Sequence, residues 1–356
     1  MLELKDSAIA AALINQRRRE GRRWRLLLLM CSVLAVSFTF DIVTGPSLLP
    51  PSQVVEVLIN FLAIDLTIDE STRIIVMELR LPIALMAIVV GGALGVGGAE
   101  VQTLLNNPMA SPYTLGMAAA AGFGAALVLF FEGFGLNPSY AVPLGAFLFC
   151  MLSAFILFGL ALVNNIGQQH LILAGIALLF LFQSLLSLIQ VIASPELSQQ
   201  ILFWLFGSLS KATWQNFFIT LSVTAICLTL LMQDAWKLTA LRLGEARARS
   251  LGINVVRLRL KTLIVVTVMT ATATSFVGII GFIGLVAPNI ARMLIGEDQR
   301  FFLPLSFLCG AVLLSTASIL SKTLVSGALF PVGIVTAIIG VPFFFWLIVF
   351  KRKRRA

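Results

Sequence analysis

The chain has 356 residues, of which 59% are apolar and 12% are charged, with 25 Lys and Arg against 16 Asp and Glu. A soluble domain carries about twice that charged fraction, so the composition excludes an ordinary soluble protein. The net charge of +9 does not indicate a nucleic-acid partner, because the basic residues stand in blocks beside apolar runs. The positive-inside bias of membrane proteins produces such blocks.

Ten apolar stretches follow one another, and most approach the ~20 residues that cross a bilayer. The eighth is short and contains Pro288, which indicates a tilted or half-length helix. We therefore predict an all-α polytopic membrane protein of about ten transmembrane helices, with a single transmembrane domain over 24–350. The predicted spans are 24–43, 81–104, 114–131, 140–163, 171–193, 213–232, 261–280, 282–294, 301–322 and 333–350.

The basic residues also predict the orientation. With the N-terminus in the cytoplasm, all of the 25 Lys and Arg residues lie on the inner side except Arg73, Arg80, Lys211 and Lys322. Both ends, the basic segment 1–23 and the basic tail 351–356, are then cytoplasmic. We expect no cleaved signal peptide, because the basic region runs into the first span without a small-residue cleavage site and a soluble domain after it.

Metal ligands and disulfides are not expected. The four cysteines lie far apart, each inside an apolar run, and no pair has the spacing of metal ligands. We interpret them as small buried apolar side chains. They are Cys31, Cys150, Cys227 and Cys309.

A polar interruption follows the second span. Non-helical backbone at membrane depth is tolerated only where it packs in protein or lines a cavity, so this stretch indicates a pathway. We predict that it forms a broken helix junction at the inner gate, built from Asn106, Asn107, Pro108, Ser111 and Pro112.

Glu100 is the sharpest anomaly within a predicted span. A charge near the bilayer centre costs about 2.5–3.5 kcal/mol on insertion scales, so such a residue usually faces a cavity or has a partner. Two hypotheses stay open. Glu100 has a role in the path or inner gate, or its side chain is a structural hydrogen-bond anchor to Asn106 or Asn107.

Two segments outside the predicted spans stand out. On the outer side, an amphipathic run from Gln53 to Leu66 is interpreted as a surface element over the pore. On the inner side, the 233–260 segment contains Glu245 and Arg249 four residues apart, an orientation that supports a helix. Gly252 fits a helix C-terminal cap. The segment is therefore one or two short surface helices or an ordinary solvated loop.

From about residue 40 onwards the chain resembles the permease subunits of bacterial ABC importers for iron-siderophore complexes, haem and cobalamin, the FecCD or BtuC-like family. No single motif is specific, but together they are. Four stretches carry the resemblance. The first comprises Arg80-Leu81-Pro82, 107–112 and Leu115-Gly116, the second is 204–209, and the third is 243–252. The fourth runs from Gly278 through Pro288 and Asp298-Gln299-Arg300 to 331–336.

The resemblance implies a BtuC-like type II importer permease in the bacterial cytoplasmic (inner) membrane. Its partners would be a second permease, identical or paralogous, two ATPase subunits and a periplasmic or lipid-anchored binding protein. The substrate would be a metal chelate, with a ferric siderophore favoured. The sequence has no G-x-x-x-x-G-K-[ST] phosphate loop, so we expect no enzyme activity and no cofactor in this chain, with ATP and Mg on the partner ATPase.

The resemblance also implies residue roles. The family's ATPase-coupling helices are matched by Glu245, Arg247, Arg249, Ser250, Leu251 and Gly252. Arg80 and Lys322 would anchor a Glu of the binding protein, although either can equally be an interfacial cation whose stem lies along apolar surface.

This chain departs from the family pattern at three positions. Asn289 and Gln299 stand where the family has histidines, which argues against a proton or metal role there. Ile83 replaces a second arginine, so docking would depend more on Arg80 and Lys322.

Other functions make different demands on the sequence. A haem or cobalamin permease is the alternative within the class, and a single histidine, His170, with two tyrosines mildly disfavours haem. A stand-alone channel or secondary transporter predicts intramembrane charge pairs, for which only Glu100 qualifies. A membrane enzyme would need a catalytic cluster, which the spacing does not offer.

Overall fold

The computed structural model describes residues 2–45, 49–61, 69–163, 168–324 and 330–353. Within these ranges the regular structure is helical, with no strand, which confirms the all-α prediction. A π-helical segment, Ile75–Arg80, precedes α4, and a 3₁₀ turn, Glu132–Gly135, follows α5. The α-helices in the described ranges are α1 (Leu2–Val43), α2 (Pro51–Phe61), α3 (Glu70–Ile74), α4 (Leu81–Leu104), α5 (Met117–Phe130), α6 (Pro138–Val163), α7 (Gln168–Ile192), α8 (Pro195–Leu205), α9 (Trp214–Gln233), α10 (Ala235–Arg242), α11 (Glu245–Ser250), α12 (Val255–Val277), α13 (Ile283–Ile295), α14 (Gln299–Thr323) and α15 (Val332–Lys353).

The ten predicted spans correspond to ten apolar helices of the described chain. Seven are long and apolar enough to cross a membrane: the part of α1 from Glu20, the continuous stretch Glu70–Leu104, and α6, α7, α9, α12 and α14. Three shorter apolar helices, in α5, α13 and α15, complete the set. The prediction of a half-length eighth span is confirmed, because α13 has 13 residues with Pro288 inside it.

Helix α4 lies at the centre of the bundle, with almost every side chain buried. Small residues let its neighbours approach closely, as is usual between membrane helices. A Cβ added at Gly98 would lie 1.7 Å from the carbonyl oxygen of Gly284 on α13. A Cβ added at Gly91 would lie 2.4 Å from the carbonyl oxygen of Gly310 on α14. The glycines of α4 therefore fix the helix at the junction of α13 and α14.

The two ends of the bundle differ in character. The end that carries α10, α11 and the connection between α13 and α14 is called the basic end. At the opposite end, Val54 and Val57 of α2 pack against Ile42 of α1, which confirms the amphipathic run from Gln53 as far as Phe61. Residues 62–66 of that run, like 354–356 of the basic tail, lie outside the described residues.

The cysteine prediction is correct at three positions and wrong at one. Cys150, Cys227 and Cys309 are buried, whereas Cys31 is exposed. Cys31 lies on the side of α1 that faces away from the bundle, so an apolar run in the sequence does not imply burial inside the protein.

Candidate functional site

The most polar cluster of the basic end joins α4, α10 and α13. The guanidinium group of Arg242, the last residue of α10, donates to the side-chain oxygen of Asn106 at 3.1 Å and to the carbonyl oxygen of Gln102 at 3.5 Å. It also forms an ion pair with Glu297 in the connection between α13 and α14. The 233–260 segment is thereby attached directly to the end of the central helix.

Arg292 of α13 enters the same cluster from the other side. Its guanidinium group donates to the side-chain oxygens of Gln102 at 2.8 Å and Asn289 at 3.0 Å. Its Nε lies 3.0 Å from the carboxylate of Glu297. Two arginines from different helices therefore share one carboxylate.

The predicted gate residues lie at this junction. Asn106 has a left-handed backbone with φ of 43°, a conformation that asparagine tolerates better than most residues. The side-chain oxygen of Asn107 accepts from the backbone N–H of Met109 at 2.9 Å. The Asn289 side chain donates to the carbonyl oxygen of Pro108 at 3.0 Å. The residue that replaces the family histidine thus holds the junction to α13.

The last two predicted gate residues, Ser111 and Pro112, border a small cleft between α4, α12 and α13. Tyr113, Thr270 and Phe282 also line it. Ser111 is fixed locally, since its N–H donates to Thr114 Oγ1 at 3.0 Å. The cleft contains hydroxyl and aromatic groups and no charged group among its lining residues.

Glu100 lies on α4, two residues before Gln102 of the cluster. Its exposure is 0%, and neither carboxyl oxygen has a hydrogen-bond partner in the described part of the chain. The hypothesis of a hydrogen bond to Asn106 or Asn107 is therefore wrong. The side chain of Asn106 is turned to Arg242 and that of Asn107 to the loop backbone.

The 233–260 segment forms two short helices, α10 and α11, and not an irregular loop. Glu245 pairs with Arg249 at 3.5 Å, as its spacing predicts, and with Arg259 of α12 at 2.6 Å. Gly252 has φ of 77° and its N–H donates to the carbonyl oxygen of Arg249 at 2.9 Å. The predicted C-terminal cap is thereby confirmed.

One face of α11 is anchored and the other is free. Ala248 is fully buried and belongs to a cluster with residues of α10 and α12. Arg247, Arg249 and Ser250 are exposed, and Leu251 is 57% exposed. An exposed leucine beside two arginines offers an apolar contact framed by positive charge.

Asp234 fixes the start of the segment. Its carboxylate lies 2.5 Å from Lys237 Nζ and is also paired with Lys261 of α12. Burial acts to raise the pKa of Asp234, but the two ammonium groups outweigh it and leave that pKa below its ordinary value. Ion pairs of Asp234 and Glu245 therefore hold α10 and α11 to α12.

At the opposite end, neither predicted docking cation is an exposed rim charge. Arg80 is 4% exposed and donates to the carbonyl oxygens of Ile42 and Val43 at 3.2 and 2.7 Å. Lys322 is 6% exposed and pairs with Asp41 of α1 at 2.6 Å. Both cations bind the end of α1, and a role in docking stays a prediction.

Sequence reasoning did not single out Arg242, Arg292, Glu297 or Asp41. The partners of Arg242 and Asp41 lie on distant elements, so no helical spacing indicated them. Arg292 and Glu297 pair with each other, but they do not have the three- or four-residue spacing of helical ion pairs. Asp41 was the one detectable case, since an acidic residue within the last turn of an apolar span is itself unusual.

The chain belongs to the FecCD transport family, which matches residues 33–350. HmuU of Yersinia pestis, a hemin transport system permease protein, is 37% identical over 79% of this chain and 84% of HmuU. BtuC of Vibrio vulnificus, a vitamin B12 import system permease protein, is 32% identical over 92% of this chain and 95% of BtuC. YfmE of Bacillus subtilis, an Fe(3+)-citrate import system permease protein, is 31% identical over 95% of this chain and 98% of YfmE.

A solved structure shares the fold as well. It is described as an inward-facing conformation of a metal-chelate type ABC transporter. It superimposes with a TM-score of 0.79 at 27% identity, covering 91% of this chain and 99% of that chain. The chain is thus a multi-pass ABC importer permease, a transport subunit of a family whose ATPase is a separate subunit.

Proposed function

We propose that this chain is the permease subunit of an ATP-driven importer that carries an iron chelate, a ferric siderophore, into the cytoplasm. A binding protein delivers the chelate, and two permease subunits, identical or paralogous, enclose the path. Two ATPase subunits drive alternating access from the cytoplasmic side. The basic end is then cytoplasmic, as are both termini, in keeping with the positive-inside bias.

The observation that carries this proposal is the double attachment of the 233–260 segment. Asp234 and Glu245 tie it to α12, and Arg242 ties it to α4, while Arg247 and Arg249 stay exposed. A force applied to the exposed face is therefore transmitted to the central helix and to the junction that follows it. Such an arrangement can transmit a movement of an ATPase to a gate.

The chemistry of the cleft beside the junction suits a weakly held solute. Its lining of hydroxyl, aromatic and aliphatic groups carries no fixed charge, so no single contact would hold a chelate tightly. Binding that is weak at mid-path favours release, and specificity then belongs mainly to the separate binding protein. ATP closes the ATPase dimer, the coupling helices move with it, and one gate opens as the other shuts.

The substrate is the finer part of the proposal. Relatives named for hemin, vitamin B12 and ferric citrate all share about a third of their residues with this chain. The single histidine, exposed at the start of α7, is not among the residues that line the cleft and offers no haem ligand there. A haem or cobalamin chelate is the alternative cargo.

The test is uptake and ATP hydrolysis in liposomes, with the chain purified together with the ATPase and binding protein encoded beside it. A radiolabelled ferric hydroxamate, haemin and cyanocobalamin are supplied in turn. We expect the loaded binding protein to stimulate ATP hydrolysis and uptake with the ferric hydroxamate alone. If haemin or cyanocobalamin is taken up instead, the siderophore assignment is overturned while the importer stands.

Charge reversal tests the coupling role. Arg247→Glu with Arg249→Glu should abolish the stimulation of ATP hydrolysis by the loaded binding protein, because the exposed face would repel its partner. The matched control reverses two exposed arginines of α1 at the same end, Arg18→Glu with Arg22→Glu, and should retain it. Solute movement by the chain without any ATPase subunit would refute the importer assignment as a whole.

A further inference from the structure

Among the described residues, Glu100 carries a buried carboxyl group that the proposed mechanism does not use. It is fully buried, and neither oxygen has a hydrogen-bond partner within the described ranges. Buried polar atoms of native proteins are almost always paired, so an exception needs a physical explanation. Inside a membrane, such a residue usually serves function and has an identifiable partner.

The charges of the neighbouring cluster are out of balance. Arg242 and Arg292 both bind Glu297, so two guanidinium groups share one carboxylate. Other carboxylates at this end are already engaged by two cations each. Glu245 holds Arg249 and Arg259, Asp234 holds Lys237 and Lys261, and Asp298 holds Arg23 and Arg300. Glu100 would balance the cluster at two cations and two anions.

Arg242 contacts the backbone of α4 two residues beyond Glu100. Its guanidinium group already donates to the carbonyl oxygen of Gln102, two residues further along α4 and therefore about 3 Å further along the helix axis. A guanidinium group has five N–H donors, so one arginine can exchange carboxylate partners while it keeps its hold on the backbone.

We propose that Glu100 is the alternative carboxylate partner of Arg242, and that Arg242 passes from Glu297 to Glu100 when the 233–260 segment moves. The inference rests on the proposed coupling function of that segment. In the structure described here, Arg242 is paired with Glu297. After the exchange, Arg292 keeps Glu297 and Arg242 neutralises Glu100, so each arginine has a carboxylate of its own.

The exchange would connect the ATPase to the gate. Arg242 also holds the side chain of Asn106, the residue whose left-handed backbone starts the junction after α4. A displacement of Arg242 toward Glu100 either breaks its hydrogen bond to the Asn106 side chain or moves that side chain with it. Glu100 is therefore a positioning residue, which selects one of two arrangements of the junction and does not itself contact the chelate.

Cysteine cross-linking in the liposome-embedded complex tests the movement of position 242 that the exchange requires. Two pairs are compared in a Cys31→Ser background: Glu100→Cys with Arg242→Cys, and Arg242→Cys with Glu297→Cys. We expect Mg–ATP with vanadate to raise the yield of the first pair and lower that of the second, each by about tenfold, within the range of known allosteric couplings. If the yields do not change with nucleotide, or if they rise and fall together, the exchange does not occur.

A double-mutant cycle tests whether the pair matters for transport. Glu100→Gln and Arg242→Gln should each lower uptake per ATP hydrolysed by about tenfold, and the double variant should lose no more than either alone. Glu100→Asp should recover part of the loss. If the two losses multiply in the double variant, the two residues act independently and the inference is overturned.

Two controls separate this inference from the alternatives. Glu132→Gln, an exposed residue at the opposite end, should keep the wild-type ratio. Thermal unfolding of Glu100→Gln should stay at or above the wild-type temperature, because removing a buried charge relieves desolvation. A loss of uptake that only follows a loss of folded protein would make Glu100 structural. If the wild-type complex shows no ATP-driven uptake, the proposed function itself fails.

Discussion

Lys322 Nζ lies 2.6 Å from the Asp41 carboxylate, and both side chains are buried where α14 meets the end of α1. The same ammonium group donates to the Asp41 carbonyl at 2.9 Å, while Arg80 donates to the carbonyls of Ile42 and Val43. These are the last carbonyls of α1, which have no partners within the helix. Two cations therefore cap the negative end of the α1 dipole.

The pair is also an intramembrane charge pair, the feature expected of a secondary transporter. Its position does not fit a proton relay through the membrane, because the pair lies at the last turn of a span. Lys322 is also already engaged in capping the end of α1. The neighbouring Ser318 hydroxyl donates to the same Asp41 oxygen at 2.8 Å. The arrangement fastens α1 to α14 and has a structural explanation.

The first prediction concerns this pair. Lys322→Met should lower the free energy of unfolding by about 3–5 kcal/mol, because it leaves Asp41 as a buried charge without its cation. The double variant Asp41→Asn with Lys322→Met should recover most of that loss. Thermal unfolding of the purified protein in detergent measures both, and an unchanged midpoint for Lys322→Met would contradict the prediction.

The second prediction concerns the contact between α4 and α13. Gly98→Ala should destabilise the protein by about 3 kcal/mol, at the upper end of overpacking effects, because the new Cβ meets the backbone of Gly284. The matched control is Gly159→Ala in α6, where nothing lies within 4 Å of an added Cβ. The control should be neutral or stabilising by up to about 1 kcal/mol. Equal unfolding midpoints for the two variants would show that the helices can separate without cost.

The third prediction concerns the shared carboxylate. Glu297→Gln leaves Arg242 and Arg292 facing each other without an anion between them, so α10 should be held less firmly. We expect faster hydrogen–deuterium exchange over residues 235–252 and unchanged exchange in α12. Glu196→Gln, an exposed acidic residue in the first turn of α8, is the control. Exchange rates that match the wild type would mean that Glu297 does not anchor α10.

The fourth prediction concerns acid. The Asp234 carboxylate has a pKa below its ordinary value of 3.8 because Lys237 and Lys261 outweigh the effect of burial. A depressed pKa contributes stability that is present above the unfolded value and lost as the pH falls through the folded value. The attachment of α10 should therefore be intact from neutral pH to about 4 and weaken below it.

Fluorescence of Trp236, which is 53% exposed on α10, measures that weakening. Asp234→Asn should remove the acid transition in this signal and show the weakened state already at neutral pH. The same transition in both proteins would assign the acid effect to another group.

Much of the architecture could be predicted from the sequence. The ten spans, the short α13, the pair of Glu245 with Arg249 and the cap at Gly252 all follow from local rules. A membrane span can be recognised from about 20 consecutive apolar residues. A helical ion pair can be recognised from a spacing of four residues, and a helix C-terminal cap from one glycine. The family followed from motifs spread over nearly the whole chain.

The tertiary structure alone decided which polar residues of distant elements meet. Arg242 binds Asn106, 136 residues away, and Lys322 binds Asp41, 281 residues away, at separations that no periodicity can indicate. For the same reason, Arg80 and Lys322 could not be recognised as caps of α1 from their place in the chain. Local spacing determines helices and their ends, whereas the partners of a buried charge depend on how those helices pack.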